Sequence, residues 1–148
     1  MPAAPPAQTD AAAPFMQYSV TEWPFVTARA KPIYPDPETF QAHLDCFSEL
    51  LHRGDKFVIL FNLNEGKMPS MDLLKQLAAF MENHRPQIEA NLVASAVVTT
   101  SMVVHGGLKI LFTLKKPVKP NQSFNTEAEA KEWLGKEWMK LVRAAQPQ

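Results

Sequence analysis

The sequence predicts an α/β domain: a mixed, mainly parallel β-sheet with about four helices, preceded by a disordered N-terminal tail. Three observations carry this. Phe57-Val58-Ile59-Leu60-Phe61 is apolar on both faces, the mark of a strand inside a sheet covered on both sides, and it breaks into the polar run Asn62 to Ser70. Phe40, Leu44, Phe47 and Leu51 recur at spacings of four, three and four residues, one face of a helix. Thr126-Glu127-Ala128-Glu129 has the capping-box pattern that opens a final helix. Strands and helices alternating in this way build a parallel sheet with helices packed on it.

Residues 1–14 are Ala, Pro, Gln, Thr and Asp after the first Met, with no Lys or Arg before Arg29. Without large apolar side chains such a stretch cannot offset the entropy of ordering it, so a disordered Ala/Pro-rich tail is expected there. The absent basic start also argues against a signal peptide. Residues 15–145 are expected to form one domain. Met16 to Thr21 and Phe25 to Ala30 are two short β-rich runs separated by Glu22-Trp23-Pro24. Because Pro24 has no amide hydrogen it belongs at a bend or edge, and the two runs are expected to pair antiparallel at the sheet's rim.

Asp36-Pro37-Glu38 starts the first helix, with a capping oxygen, a proline pre-set for the first turn and an acid at the positive end of the dipole. Gly54 lies where a left-handed turn would end it. Ser70 can cap a second helix with the stripe Leu74, Leu77 and Phe80 or Met81, which Pro86 is expected to end or bend near residues 83–85. Leu92 to Thr99 is a second buried strand. Ser101 to Phe112 fits a helix through Val104, Leu108, Leu111 and Phe112. Gly106 and Gly107 inside it cost about 1 kcal/mol each against Ala unless a close backbone approach requires them. Lys115 to Pro120 is a stiff connector, Gln122-Ser123-Phe124 a short strand, and the capped last helix runs to about Ala144.

Bulk properties narrow the function. Lys plus Arg equal Asp plus Glu at 15 each, so no long-range field draws the molecule to nucleic acid. One cysteine, Cys46, excludes an intrachain disulfide and cysteine-based metal sites. No apolar stretch approaches the roughly 20 residues of a membrane span. A soluble, cytoplasmic protein without metal or cofactor is expected. His105-Gly106-Gly107 matches the glycine-rich oxyanion loops of some esterases, but no Gly-x-Ser-x-Gly elbow accompanies it. His43, His52 and His84 are not spaced to share a helix face, and no carboxylate pattern completes a metal site. Lys109, Lys115, Lys116 and Lys119 form the one basic concentration, too short to be more than a solvated surface or a contact for a phosphate, lipid head group or acidic partner. No catalytic residues are expected.

The order of elements resembles the STAS fold, and the wording resembles its bacterial SpoIIAA-like branch, described as STAS or SEC14-like domains. The matching pieces are Phe57 to Asn62, Pro69-Ser70, Ala94-Ser95-Ala96-Val97-Val98, and Phe124 followed by Glu127, Glu129, Ala130, Trp133 and Leu134. They span roughly residues 16–135, one domain of ordinary size. The resemblance implies a non-enzymatic protein-interaction or regulatory module. In anti-sigma-factor antagonists of this fold, a serine opening the second helix is phosphorylated by a partner kinase and binding is switched off; Ser70 holds that position. Where those proteins carry an aspartate and an Asp-Ser-Ser-Gly type sequence, this chain has Asn62 and Pro69-Ser70-Met71-Asp72. A plain helix cap is the competing role for Ser70.

The expected contact or phosphoswitch surface is Asn62, Asn64, Lys67, Ser70 and Met71. Trp138 and Val142 extend the apolar side of the last helix and either dock a partner or second copy or cover the domain's own edge. The alternative function is a carrier of a small apolar ligand or lipid, suited to the many Met and Phe residues. A groove beside Asn62, Ser70 and Gly106 favours protein partners; a cavity there favours ligands.

Overall fold

A computed structural model describes residues 15–145. The segment 1–14, expected to be a tail, lies outside the described residues. The described chain runs β1 (Met16–Glu22), β2 (Phe25–Ala30), α1 (Pro37–Leu51), β3 (Phe57–Asn62), α2 (Met71–Asn83), α3 (Arg85–Asn91), β4 (Leu92–Val98), α4 (Met102–Leu114), β5 (Asn121–Phe124) and α5 (Glu127–Ala145). The five strands form one sheet in the order β1-β2-β3-β4-β5. β1 and β2 pair antiparallel, and every later pairing is parallel.

This order dictates where the helices go. The parallel strands advance one place at a time in a single direction, so right-handed crossovers put all connecting helices on the same face. That face carries Tyr18, Val26, Ala28, Phe57 and Ile59, packed with Phe40, Leu44, Phe47, Leu50 and Leu51 of α1, Leu73 and Phe80 of α2 and Ile88 of α3. α5 follows the last strand and is left with the opposite face, where Ala130 and Leu134 meet Val58, Leu60, Ala94, Ala96 and Val98. The alternation along β3 divides Phe57 and Ile59 from Val58 and Leu60, and all four are buried, as a strand covered on both sides requires.

Local signals account for the helix boundaries. Asp36 caps α1 by accepting from Thr39 N at 2.8 Å, and Thr39 Oγ1 accepts from Asp36 N at 3.0 Å. Ser70 caps α2 through Leu73 N at 3.2 Å, and Ser101 caps α4 through Val104 N at 3.2 Å. Each such cap is worth about 1 kcal/mol. Gly54 takes φ +87° in the turn between α1 and β3, a region open to glycine.

One expectation holds and three change in detail. β1 and β2 pair antiparallel at the sheet's rim as expected, with β1 outermost, and Pro24 sits in the turn ahead of β2, leaving the ladder of Phe25 to Arg29 intact. Helices number five among the described residues, since Pro86 opens the short α3 and not only closes α2; a proline in a first turn removes no intrahelical bond. Of the two glycines in α4, Gly107 alone makes a close approach, with Met68 seated where its Cβ would be, whereas nothing stands within 4 Å of a Cβ on Gly106. The cap of α5 is formed on one side only. Thr126 Oγ1 accepts from Glu129 N at 3.2 Å, but the Glu129 carboxylate takes the Thr126 hydroxyl, also at 3.2 Å, in place of the backbone amide.

Candidate functional site

The loop after β3 divides into anchored and displayed residues. Asn62 Nδ2 donates to Glu127 Oε2 at 2.7 Å, and Asn62 Oδ1 accepts from Asn64 N at 3.0 Å. Asn64 Oδ1 in turn accepts from Thr100 N at 3.0 Å. The two asparagines therefore tie the loop to the start of α5 and to the segment after β4. Arg29 Nη2 completes the first knot, donating to both oxygens of Glu127 at 2.9 Å. Burial pushes the Glu127 carboxyl up, but the hydrogen bonds from Asn62 and Arg29, with the charges of Arg29 and Lys131, outweigh it and hold the group below its usual value.

Lys67, Ser70 and Met71 face outward. Ser70 is exposed while serving as a cap, Met71 is 46% exposed, and the Lys67 ammonium lies 5.9 Å from the centre of the Tyr34 ring. Trp138 packs on Phe25, ring centres 6.0 Å apart, over the sheet face that α5 covers, and Val142 is half-buried. The structure thus separates the loop group from the Trp138 group. Neither adjoins a cluster of three or more metal-ligating side chains among the described residues.

Behind the loop lies a cavity of about 180 Å³ between the sheet and helices α1, α2 and α4. The sheet contributes Met16, Ala30, Phe61, Ser95 and Val97; α1 contributes Phe40, His43 and Phe47; α2 contributes Leu74, Leu77 and Met81; α4 contributes Val104, Gly107, Leu108, Leu111 and Phe112. Leu63, Gly66, Lys67, Met68 and Pro69 wall it at the carboxyl ends of the strands, and Val118, Lys119 and Asn121 at the other. Its walls span the length of β3, about 20 Å at roughly 3.3 Å per residue. Met68 resting on Gly107 joins the loop to α4, so the glycine makes room for the side chain that closes this end.

Two features were hidden or only half visible in the sequence. His43 lies three residues after Phe40 and four before Phe47, on the apolar stripe of α1, and that position was the available signal. Its ring is enclosed by Phe15, Tyr18, Phe40 and Phe61, and its Nδ1 is 2.8 Å from Tyr18 Oη. Burial lowers its pKa from 6.5 to about 4, so it stays uncharged. His52 and His84, unrelated by helical spacing, are brought together by the fold with ring centres 5.7 Å apart, and Ser48 Oγ stands within 3.4 Å of His52 Nδ1 and 3.3 Å of His84 Nε2.

α4 is apolar on two sides. Val104, Gly107 and Leu111 face inward, while Met102 and Val103 are 82% and 65% exposed and Ile110 and Leu114 are also open to solvent. No helix among the described residues is long and apolar enough to cross a membrane.

No protein-family model matches the chain, and no curated protein matches it in sequence. A solved structure does match: an uncharacterized protein of the DUF3478 family from Shewanella loihica PV-4, described as having a SpoIIAA-like fold. It is 11% identical, with a TM-score of 0.55 over 80% of this chain and 91% of that one. The fold is SpoIIAA-like, in keeping with the resemblance carried by Phe57 to Asn62, Pro69-Ser70 and the Ala130-x-x-Trp133-Leu134 sequence.

The buried histidine sets a pH dependence. Between pH 6.5 and about 4 the unfolded chain binds a proton on His43 that the folded chain refuses, so its contribution is complete above pH 6.5 and is lost as pH falls through that window. The loss approaches roughly 3 kcal/mol at the lower limit and about 2 kcal/mol by pH 5. Urea unfolding at pH 7.5 and pH 5 is expected to show this drop in the wild type and a much smaller one in His43→Phe. Equal drops in both proteins would contradict the assignment.

Proposed function

We propose that this chain is a non-enzymatic module of SpoIIAA-like fold that binds a small apolar molecule in the cavity between its sheet and α1, α2 and α4. The observation that carries the reading is the cavity itself. An apolar void of roughly 150 Å³ is enough to take up benzene, and this one is larger, at about 180 Å³. Leu, Met and Phe make up half of the lining residues, and the methionines Met68 and Met81 can reshape around different guests. The polar groups of the wall are few, as in sites that orient a ligand without reacting with it.

Native mass spectrometry after mild purification is expected to show a co-purifying small molecule. Val97→Phe, which puts a ring into the cavity, is expected to lose it while keeping the far-ultraviolet circular dichroism of the wild type. Consistently bare wild-type protein that also fails to take up added benzene would contradict the reading.

A second reading, a protein-docking module, is favoured by one specific observation. Met71, Met102 and Val103 stand exposed where α2 and α4 begin, at the strand ends that also display Ser70 and Lys67. A phosphate on Ser70 would add about −1.5 to −2 charges at a helix start that already favours anions, and would break up this apolar rim. A partner, or a second copy meeting Trp138 and Val142, belongs to this reading. Pull-downs with wild type, Ser70→Ala and Ser70→Glu are expected to differ for the glutamate variant alone; identical partner profiles would count against the switch.

A further inference from the structure

Two buried polar side chains reach the cavity wall, Ser95 and His43. Ser95 Oγ is engaged by Asn121 Nδ2, which donates to it at 2.7 Å. His43 is engaged at one nitrogen only. Tyr18 Oη is 2.8 Å from His43 Nδ1 and 3.5 Å from the His43 carbonyl oxygen. The first distance suits a hydroxyl hydrogen bond and the second is too long for a good one, so the single phenolic hydrogen goes to Nδ1. Tyr18 is fully buried and keeps that hydrogen, because burial, with a smaller push from Cys46, raises its pKa well above the usual 10.0. With Nδ1 accepting, the neutral ring carries its own hydrogen on Nε2.

Nε2 has no hydrogen-bond partner among the described residues. The His43 side chain is among those that line the cavity. His43 is 6% exposed, and a buried hydrogen-bond donor is costly to leave unmet.

We infer that His43 Nε2–H is the polar recognition point of the cavity, and that the ligand is a small apolar molecule carrying one uncharged hydrogen-bond acceptor, an alkyl or aryl ketone, aldehyde or ester. The inference rests on the cavity reading above and names the ligand class for it. The acceptor is uncharged because a carboxylate would shed its hydration against a wall that is almost wholly apolar, beside a ring that stays neutral. The two lysines of the wall do not alter this, as Lys67 is exposed and lies over the Tyr34 ring, and Lys119 stands at the other end of the cavity, beside the start of β5. The Tyr18 hydroxyl acts as a positioning group: it fixes the tautomer and touches no ligand.

The test uses two probes of nearly the same shape, acetophenone, which has a carbonyl acceptor, and ethylbenzene, which has none. Affinities for wild type and His43→Phe are measured by calorimetry or methyl NMR, and nitrogen-15 spectra of the imidazoles are recorded on the wild type. The expected result is that acetophenone binds wild type at least as tightly as ethylbenzene, despite the cost of dehydrating its carbonyl. It should also shift the His43 Nε2 resonance, with the Nε2–H tautomer present before addition. In His43→Phe, acetophenone should weaken about 5–10-fold relative to ethylbenzene, the worth of one hydrogen bond. Should the variant fail to fold, the wild-type spectra decide. Binding of both probes without a shift at His43, or with Nδ1–H as the resting tautomer, would overturn the inference and leave the cavity reading standing. Binding of neither probe would overturn both.

Discussion

The two faces of the sheet close to different extents, and the rest of the structure depends on that inequality. On one face Ala94, Ala96 and Ala130 let α5 lie directly on β3 and β4, with Val58, Leu60, Val98 and Leu134 filling the remaining space. On the other face the sheet and three helices meet through Phe, Leu and Met side chains, which are long and stand the helices off. Interiors normally pack at crystal density. Here the sheet and the helices over it share one apolar face, and their side chains leave a cavity where they do not interlock.

Position follows from topology. Three successive crossovers on one face bring the loops after β3 and β4 to the same end of the sheet, where ligands and partners of open α/β sheets are usually met. Asn62, Asn64, Arg29 and Glu127 hold that end firmly, in a set of hydrogen bonds crossing from the loop to α5. Met68 and Gly107 then close the cavity behind it. The same loop thus forms the outer surface expected from the sequence and part of an inner wall that the sequence did not reveal. On the proposed reading the inner wall holds a ligand, the outer rim meets a partner, and His43 supplies the directional contact that an otherwise greasy interior needs for selectivity.

Much of the fold is legible in the sequence because it is written in short-range patterns. The both-faces-apolar run Phe57 to Phe61, the stripe of α1 and the capping serines Ser70 and Ser101 depend only on neighbours within a turn or a strand. What stays open in the sequence is a residue with two compatible roles. Pro24 suits an edge strand or a turn, and Pro86 suits a helix end or a helix start; tertiary packing chooses between them. The cavity is a property of distance between elements, to which periodicity is blind. Gly107 is marked as unusual by its place in a helix, but its reason, Met68, lies 39 residues earlier. His43 sits in plain view on an apolar stripe, and only the three-dimensional partner Tyr18 shows that its second nitrogen is left for something else.

The unequal closure of the two faces is tested most directly by xenon binding followed through methyl NMR of the wild-type protein. Saturable shifts are predicted at Ala30, Leu74, Leu77, Val97 and Leu108, which line the cavity, with none at Ala94, Ala96, Ala130 or Leu134 beneath α5. Shifts of equal size in both groups, or no saturable response in the first, would contradict the account.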